Sequence, residues 1–168
     1  MTANKFFRSK MLVVLVFALA LLLSSMIPNN IVFATPSSGI TAEVLATGTL
    51  AVPISSKFKT ELGNVHTNVS KTTLVKYTIT PGGVFGWHQH GGPLWVIVES
   101  GSLTFYEADD PACAGTVYVA GSTFMDPGNH IHNARNEGSV NLVIYAVFML
   151  PAGGETRLDA PHPGTCPF

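Results

Sequence analysis

Four histidines are spaced as metal ligands are. His88 and His90 stand two residues apart, and His130 and His132 repeat that interval further along the chain. On a β-strand, residues i and i+2 project from one face, so each pair presents two imidazoles together. Two imidazoles make half of a transition-metal site, and a third has to come from another segment. Two His-x-His strands facing each other across a barrel would supply it. Imidazole suits Fe, Mn, Ni, Zn or Cu, so these residues imply a divalent transition metal whose identity stays open. The alternative is a group of hydrogen-bonded histidines packed in a polar core. No Ser-His-Asp order, phosphate loop, pair of catalytic carboxylates or aromatic-basic surface offers a competing chemistry. A small-molecule ligand is therefore the expected partner, and nucleic acid is not.

Holding such pairs in place requires strands, and the sequence is punctuated as a strand protein is. The chain of 168 residues contains 16 Gly and 11 Pro, is 46% hydrophobic and only 11% charged, and has a formal net charge of -1. That balance excludes a polybasic nucleic-acid binder and a long charged helix. Short apolar runs alternate with turn signals. Residues 73–79 stop at Pro81-Gly82-Gly83, residues 84–90 at Gly91-Gly92-Pro93, and residues 94–98 at Ser100-Gly101. Runs at 103–107, 116–119, 124–125, 130–132 and 141–150 follow. This rhythm predicts an all-β sandwich or barrel over residues 71–150. The last run is apolar on both parities, which predicts a strand buried on both faces. Residues 35–70 are read as an N-terminal extension, with one strand over 40–50 and a loop over 51–70. Leu94, Val96, Val98, Leu103, Phe105, Phe124 and Met125 are candidates for the barrel lining. Trp87 and Trp95 have the opposite parity to the histidines and Leu94, which places them outside the barrel or at an interface, where a homodimer could form. His66 and His162 lie in loop-like stretches and are read as solvated.

The punctuation around the histidines is specific. Gly82 precedes His88-Gln89-His90 by five residues, Leu94 follows after three, and Gly101 after six more. Later, Gly121, Pro127, His132 and Asn136 stand at comparable intervals. This pattern resembles the two signature motifs of the cupin superfamily, over about Val75 to Leu150. The resemblance implies a single-domain jelly-roll β-barrel whose interior often holds a metal, with His88, His90 and His132 on the three histidine ligand positions. Two departures stand out. Cupins commonly supply a glutamate as fourth ligand where this chain has Leu94, and the glycine expected at position 129 stands one place early, as Gly128. Glu99 has the wrong parity to replace the glutamate. His130 has inward parity and is read as a fourth ligand, a donor to the ligands or a polar core residue. No residue stands out as a general base, and His130 is the only candidate for that role.

Three neutral imidazoles leave a divalent metal its full charge and open positions for water, an enolate, a thiolate, a carboxylate or dioxygen. The resemblance to three-histidine dioxygenases implies an oxygenase or isomerase acting on a small chelating ligand. A non-catalytic ligand-binding module and a structural cell-surface module are the alternatives.

The two chain termini set the context. Lys5, Arg8 and Lys10 are followed by an apolar run over 11–23 and by Val32-Phe33-Ala34, the three-part layout of a secretory signal peptide ending at residue 34. An uncleaved membrane anchor is the alternative, although spanning the hydrocarbon takes about 20 apolar residues. Either reading places the domain outside the cytoplasm, secreted or periplasmic. Export makes a disulfide the simplest use of the only two cysteines, Cys113 and Cys166. It would tether the Pro-rich tail, residues 151–168, which carries no helix or central-strand signal.

Overall fold

A computed structural model describes residues 35–168, and the expected signal peptide lies outside them. Ten strands form in chain order: β1 (Ser38–Thr60), β2 (Gly63–Val84), β3 (His88–Gln89), β4 (Leu94–Ser100), β5 (Ser102–Glu107), β6 (Thr116–Val119), β7 (Thr123–Asp126), β8 (His132–Arg135), β9 (Leu142–Leu150) and β10 (Leu158–Asp159). All pairings are antiparallel. One layer runs β1-β2-β9-β4-β7 and the other β6-β5-β8-β3-β10. They join where Val84 of β2 pairs with Arg135 of β8, which nearly closes the sheet into a barrel.

Alternation decides which face turns inward. On β4, Leu94, Val96 and Val98 are buried while Trp95 and Ile97 are exposed. Together with Val75, Ile79, Leu103, Phe105, Phe124, Ala134, Ile144 and Phe148 they form the core between the layers. The run at 142–150 departs from expectation. Leu142, Ile144, Ala146, Phe148 and Leu150 are buried, but Val143, Tyr145, Val147 and Met149 are half-exposed. β9 lies centrally, between β2 and β4, yet only one of its faces meets the other layer. Apolar residues on the second face therefore do not imply burial.

The reading of residues 51–70 as loop is corrected. β1 and β2 pair almost to their shared turn, from Ile54↔Val69 to Thr60↔Gly63. β9 pairs β2 only over 71–79, so the outer part of this hairpin is a two-stranded ribbon beyond the barrel. Apart from Val69, its faces differ only between half-buried and exposed, so the alternation around Phe58 and Val65 is short and weak in the sequence.

Trp87 is fully buried outside the main core, in a second cluster with Tyr106, Ala160 and Cys166. The aromatic ring of Phe168 stacks on Trp87, and the Trp87 indole N–H donates to the Phe168 carbonyl (3.3 Å). Arg135 lies 3.9 Å over the Phe168 ring. Trp95 is 42% exposed. His162 is half-buried rather than solvated, because it packs edge-on against Trp87 and hydrogen-bonds the Phe168 carbonyl (2.8 Å). Cys113 and Cys166 are joined by a disulfide, Cα–Cα 5.2 Å. The tail is thus folded back along the barrel rather than hanging from it.

Candidate metal centre

His88 and His90 come from one segment and His132 from another, and the three meet. His88 of β3 is the cross-strand partner of His132 of β8. Ring centroids are 4.4 Å apart for His88–His132, 4.8 Å for His88–His90 and 5.0 Å for His90–His132. A ligand nitrogen from each lies within 4.8 Å of the others. His88 is only 3% exposed and His132 only 2%.

The tautomers follow from what the other nitrogens touch. His88 Nδ1 is 2.7 Å from the Gly86 carbonyl, His90 Nδ1 is 2.6 Å from the Thr156 carbonyl and His132 Nδ1 is 3.2 Å from the His130 carbonyl. A carbonyl only accepts, so each Nδ1 carries the proton and each neutral ring keeps its lone pair on Nε2. Burial holds the pKa of His88 and His132 well below the usual imidazole range, with the neighbouring histidines adding to the effect. Burial also lowers that of His90, partly offset by the Asp126 carboxylate. Three neutral imidazoles, each oriented by a backbone acceptor and each leaving Nε2 free, are the donor set that a transition metal requires. The residues present therefore fit a divalent cation.

Strand parity placed His88 and His90 on one face, but the local chain does more. β2 ends at Val84, and Gly86 turns the backbone (φ 73) so tightly against Thr35 that any Cβ there would collide with the Thr35 carbonyl. The early glycine of the second motif has an equally definite reason. Gly128 (φ 86) lies against Gly92, where a Cβ would overlap the Gly92 carbonyl. Its own carbonyl accepts from His90 N (2.8 Å). Asn136 secures the end of the same motif: its side-chain amide donates to the carbonyls of Ile79 (2.9 Å) and Val140 (2.8 Å).

Several polar groups facing the site had no counterpart among the expected residues, Asp126 and Tyr77 among them. Asp126 pairs across the sheet with Leu94, the position where a glutamate ligand was expected, and is 1% exposed. Its Oδ1 accepts from Gly128 N (2.6 Å), while Oδ2 lies 3.3 Å from His132 Nδ1 and 3.9 Å from His90 Nε2. Phe124 and Asp126 share a parity, so extending the strand at 124–125 by one residue would have revealed the carboxylate. The second group is the phenol of Tyr77 on β2, whose pKa burial raises, keeping it protonated.

His130 precedes β8, so strand parity does not govern it. Its ring lies 5.4 Å from that of His132, with Nε2 3.5 Å from Glu107 Oε1 and Nδ1 3.9 Å from Asp126 Oδ1. It is not part of the cavity wall. That cavity, 320 Å³, opens from the three histidines into the barrel. Leu94, Val96, Leu103, Phe105 and Phe124 line it as expected, while Val98 and Met125 are buried elsewhere. Tyr77, Asp126, Thr156 and Arg157 add polar groups to the wall. Glu99 points outward and takes a long hydrogen bond from the Tyr145 hydroxyl (3.4 Å).

A family model described as the cupin domain matches residues 75–148. No curated protein matches the chain. Among solved structures, the polyketide cyclase RemF from Streptomyces resistomycificus aligns with a TM-score of 0.52 at 14% identity, over 79% of this chain and 81% of its own. A cupin domain from Bordetella pertussis Tohama I aligns with a TM-score of 0.46 at 16% identity, over 71% of this chain and 99% of its own. At such identities the likeness is one of fold. The family match falls on the strands that carry both histidine motifs: residues 75–148 match the cupin domain, and the described fold is a cupin-type barrel.

Proposed function

We propose that this protein is an exported metal-dependent cupin whose centre is held by His88, His90 and His132 and whose cavity takes a small, largely apolar ligand able to chelate the metal. The observation that carries the reading is the commitment of all three Nδ1 atoms to backbone acceptors, which leaves the Nε2 lone pairs free on three rings whose ligand nitrogens lie within 4.8 Å of one another. A bound divalent cation supplies Lewis-acid charge to an oxygen or sulfur of the ligand. The chain's own residues do the rest. Asp126 orients His132 and places a negative charge beside the centre, the lining of Leu94, Phe105, Phe124 and Phe148 keeps water from the ligand body, and the Tyr77 phenol offers a proton donor. Oxygenation or isomerisation of a chelating ligand is the chemistry this arrangement suits best.

Metal analysis of purified, disulfide-intact protein tests it. One transition-metal equivalent in wild type, lost in both His88→Ala and His132→Ala, is the expected result; wild type that stays metal-free under saturating Fe, Mn, Ni, Zn and Cu overturns it. Oxygen uptake with a panel of diketones and thiols then tests turnover. A largely apolar cavity also suits a protein that only stores its ligand. In that case the ligand binds and no oxygen is consumed.

A further inference from the structure

We infer that Arg157 is the specificity-determining residue of the cavity and selects a ligand with an apolar body and a carboxylate head. Among the described residues lining the cavity, Arg157 is the only Lys or Arg. It shares the cavity wall with Tyr77, His88, His90 and His132. Its position is built rather than incidental. The preceding Thr156 carbonyl holds His90 Nδ1 at 2.6 Å, and the residues that follow it, Leu158 and Asp159, pair with Gln89 and His88. The backbone on both sides of Arg157 is therefore fastened to the histidine strand.

The guanidinium is oriented from one edge. Its Nε donates to Asp159 Oδ1 at 2.6 Å, which fixes the plane and leaves the Nη donors for a ligand. That edge matches a carboxylate, which accepts two parallel N–H bonds. Charge balance favours the same ligand. In metal-loaded protein a divalent cation and Arg157 outweigh the single lining carboxylate, Asp126, and an anionic ligand offsets the excess; Asp159, 58% exposed, is screened by solvent. The remaining wall, including Ile40, Phe85, Val96 and Ile144, has nothing to offer a second charge. The charge-balance step rests on the metal reading above, whereas the Arg157 geometry does not.

Benzoate and its uncharged counterpart benzamide are suitable probes, titrated by calorimetry into metal-free and metal-loaded protein. Wild type is expected to prefer benzoate by about tenfold in both forms, the scale of one charge-assisted hydrogen bond. Arg157→Gln is expected to abolish the preference in metal-free protein. Arg157→Lys, which keeps the charge but not the fork, is expected to retain part of it, and thermal melting checks that both variants fold. If wild type binds benzoate no better than benzamide, or binds neither at millimolar concentration, the inference is overturned. It is equally overturned if Arg157→Gln keeps the preference, or if only metal-loaded protein shows one, since the metal then reads the anion. A preference in metal-free wild type that depends on Arg157 sustains it even if no metal is ever found.

Discussion

Asp126 can act on the centre in two ways, by shape and by charge, and two substitutions separate them. Asp126→Asn keeps an acceptor for Gly128 N but removes the charge beside His132 and His90. Substitutions of groups that orient metal ligands typically cost ten- to a hundredfold in affinity, and metal competition against a chelator should show a loss of about that size. Asp126→Ala additionally leaves the buried Gly128 N–H without a partner, a further cost of about 1–3 kcal/mol read as a lower melting temperature. The imidazoles predict a pH dependence whose sign is fixed. In the folded chain, burial keeps His88, His90 and His132 from taking protons, whereas in the unfolded chain they titrate normally, near 6.5. Below that pH the unfolded state binds more protons, so stability falls as pH falls. The metal-free protein is expected to melt at a nearly constant temperature above about pH 7.5 and at progressively lower ones from about pH 6.5 downward. A His88→Gln, His132→Gln double variant should show a shallower slope, and an unchanged slope would assign the effect to other groups.

At the scale of elements, the tail does what no strand of the barrel does alone. Residues 151–168 supply the carbonyl that holds His90, the strand β10 that borders His88, and the ring that covers Trp87. The disulfide anchors this segment across a sequence separation of 53 residues. In the chain-entropy description, closing such a loop contributes about 4 kcal/mol. Cys113→Ser with Cys166→Ser is expected to lower unfolding free energy by roughly that amount in urea titrations. The same variant should bind metal more weakly even where it is still folded, because the acceptor on His90 is released. The turn at Gly128 is the second element-level device. Gly128→Ala would force a Cβ into the Gly92 carbonyl at a positive φ, with an expected loss of about 1–3 kcal/mol and weaker metal binding through the His90 backbone.

Across the whole molecule, the barrel was legible wherever one face of a strand is buried and the other is not, as at Leu94 to Val98. The triad was legible because its glycines, proline and asparagine fix turns at set intervals from the histidines. Three things were hidden, each for a physical reason. The outer ribbon of β1 and β2 has one face that is mostly only half-buried, which imposes a short, weak alternation. Asp126 ends a strand that looked finished at Met125. Thr156 and Arg157 belong to a tail held by a covalent bond and short pairings, which leave no periodic trace. Export itself is tested at this scale. The mature protein recovered outside the cytoplasm should begin at Thr35, readable by intact-mass measurement, whereas retention of residues 1–34 would favour an anchor. Thr35 is already engaged in the fold, its hydroxyl accepting from Trp87 N at 2.6 Å.

The folded-back tail has a practical corollary for anyone preparing the protein. The acceptor of His90 lies in the segment that Cys166 tethers, so oxidation of the thiols is linked to the order of the centre. Material expressed in a reducing cytosol is expected to show a sound barrel around a looser triad and to take up less metal than the oxidised protein.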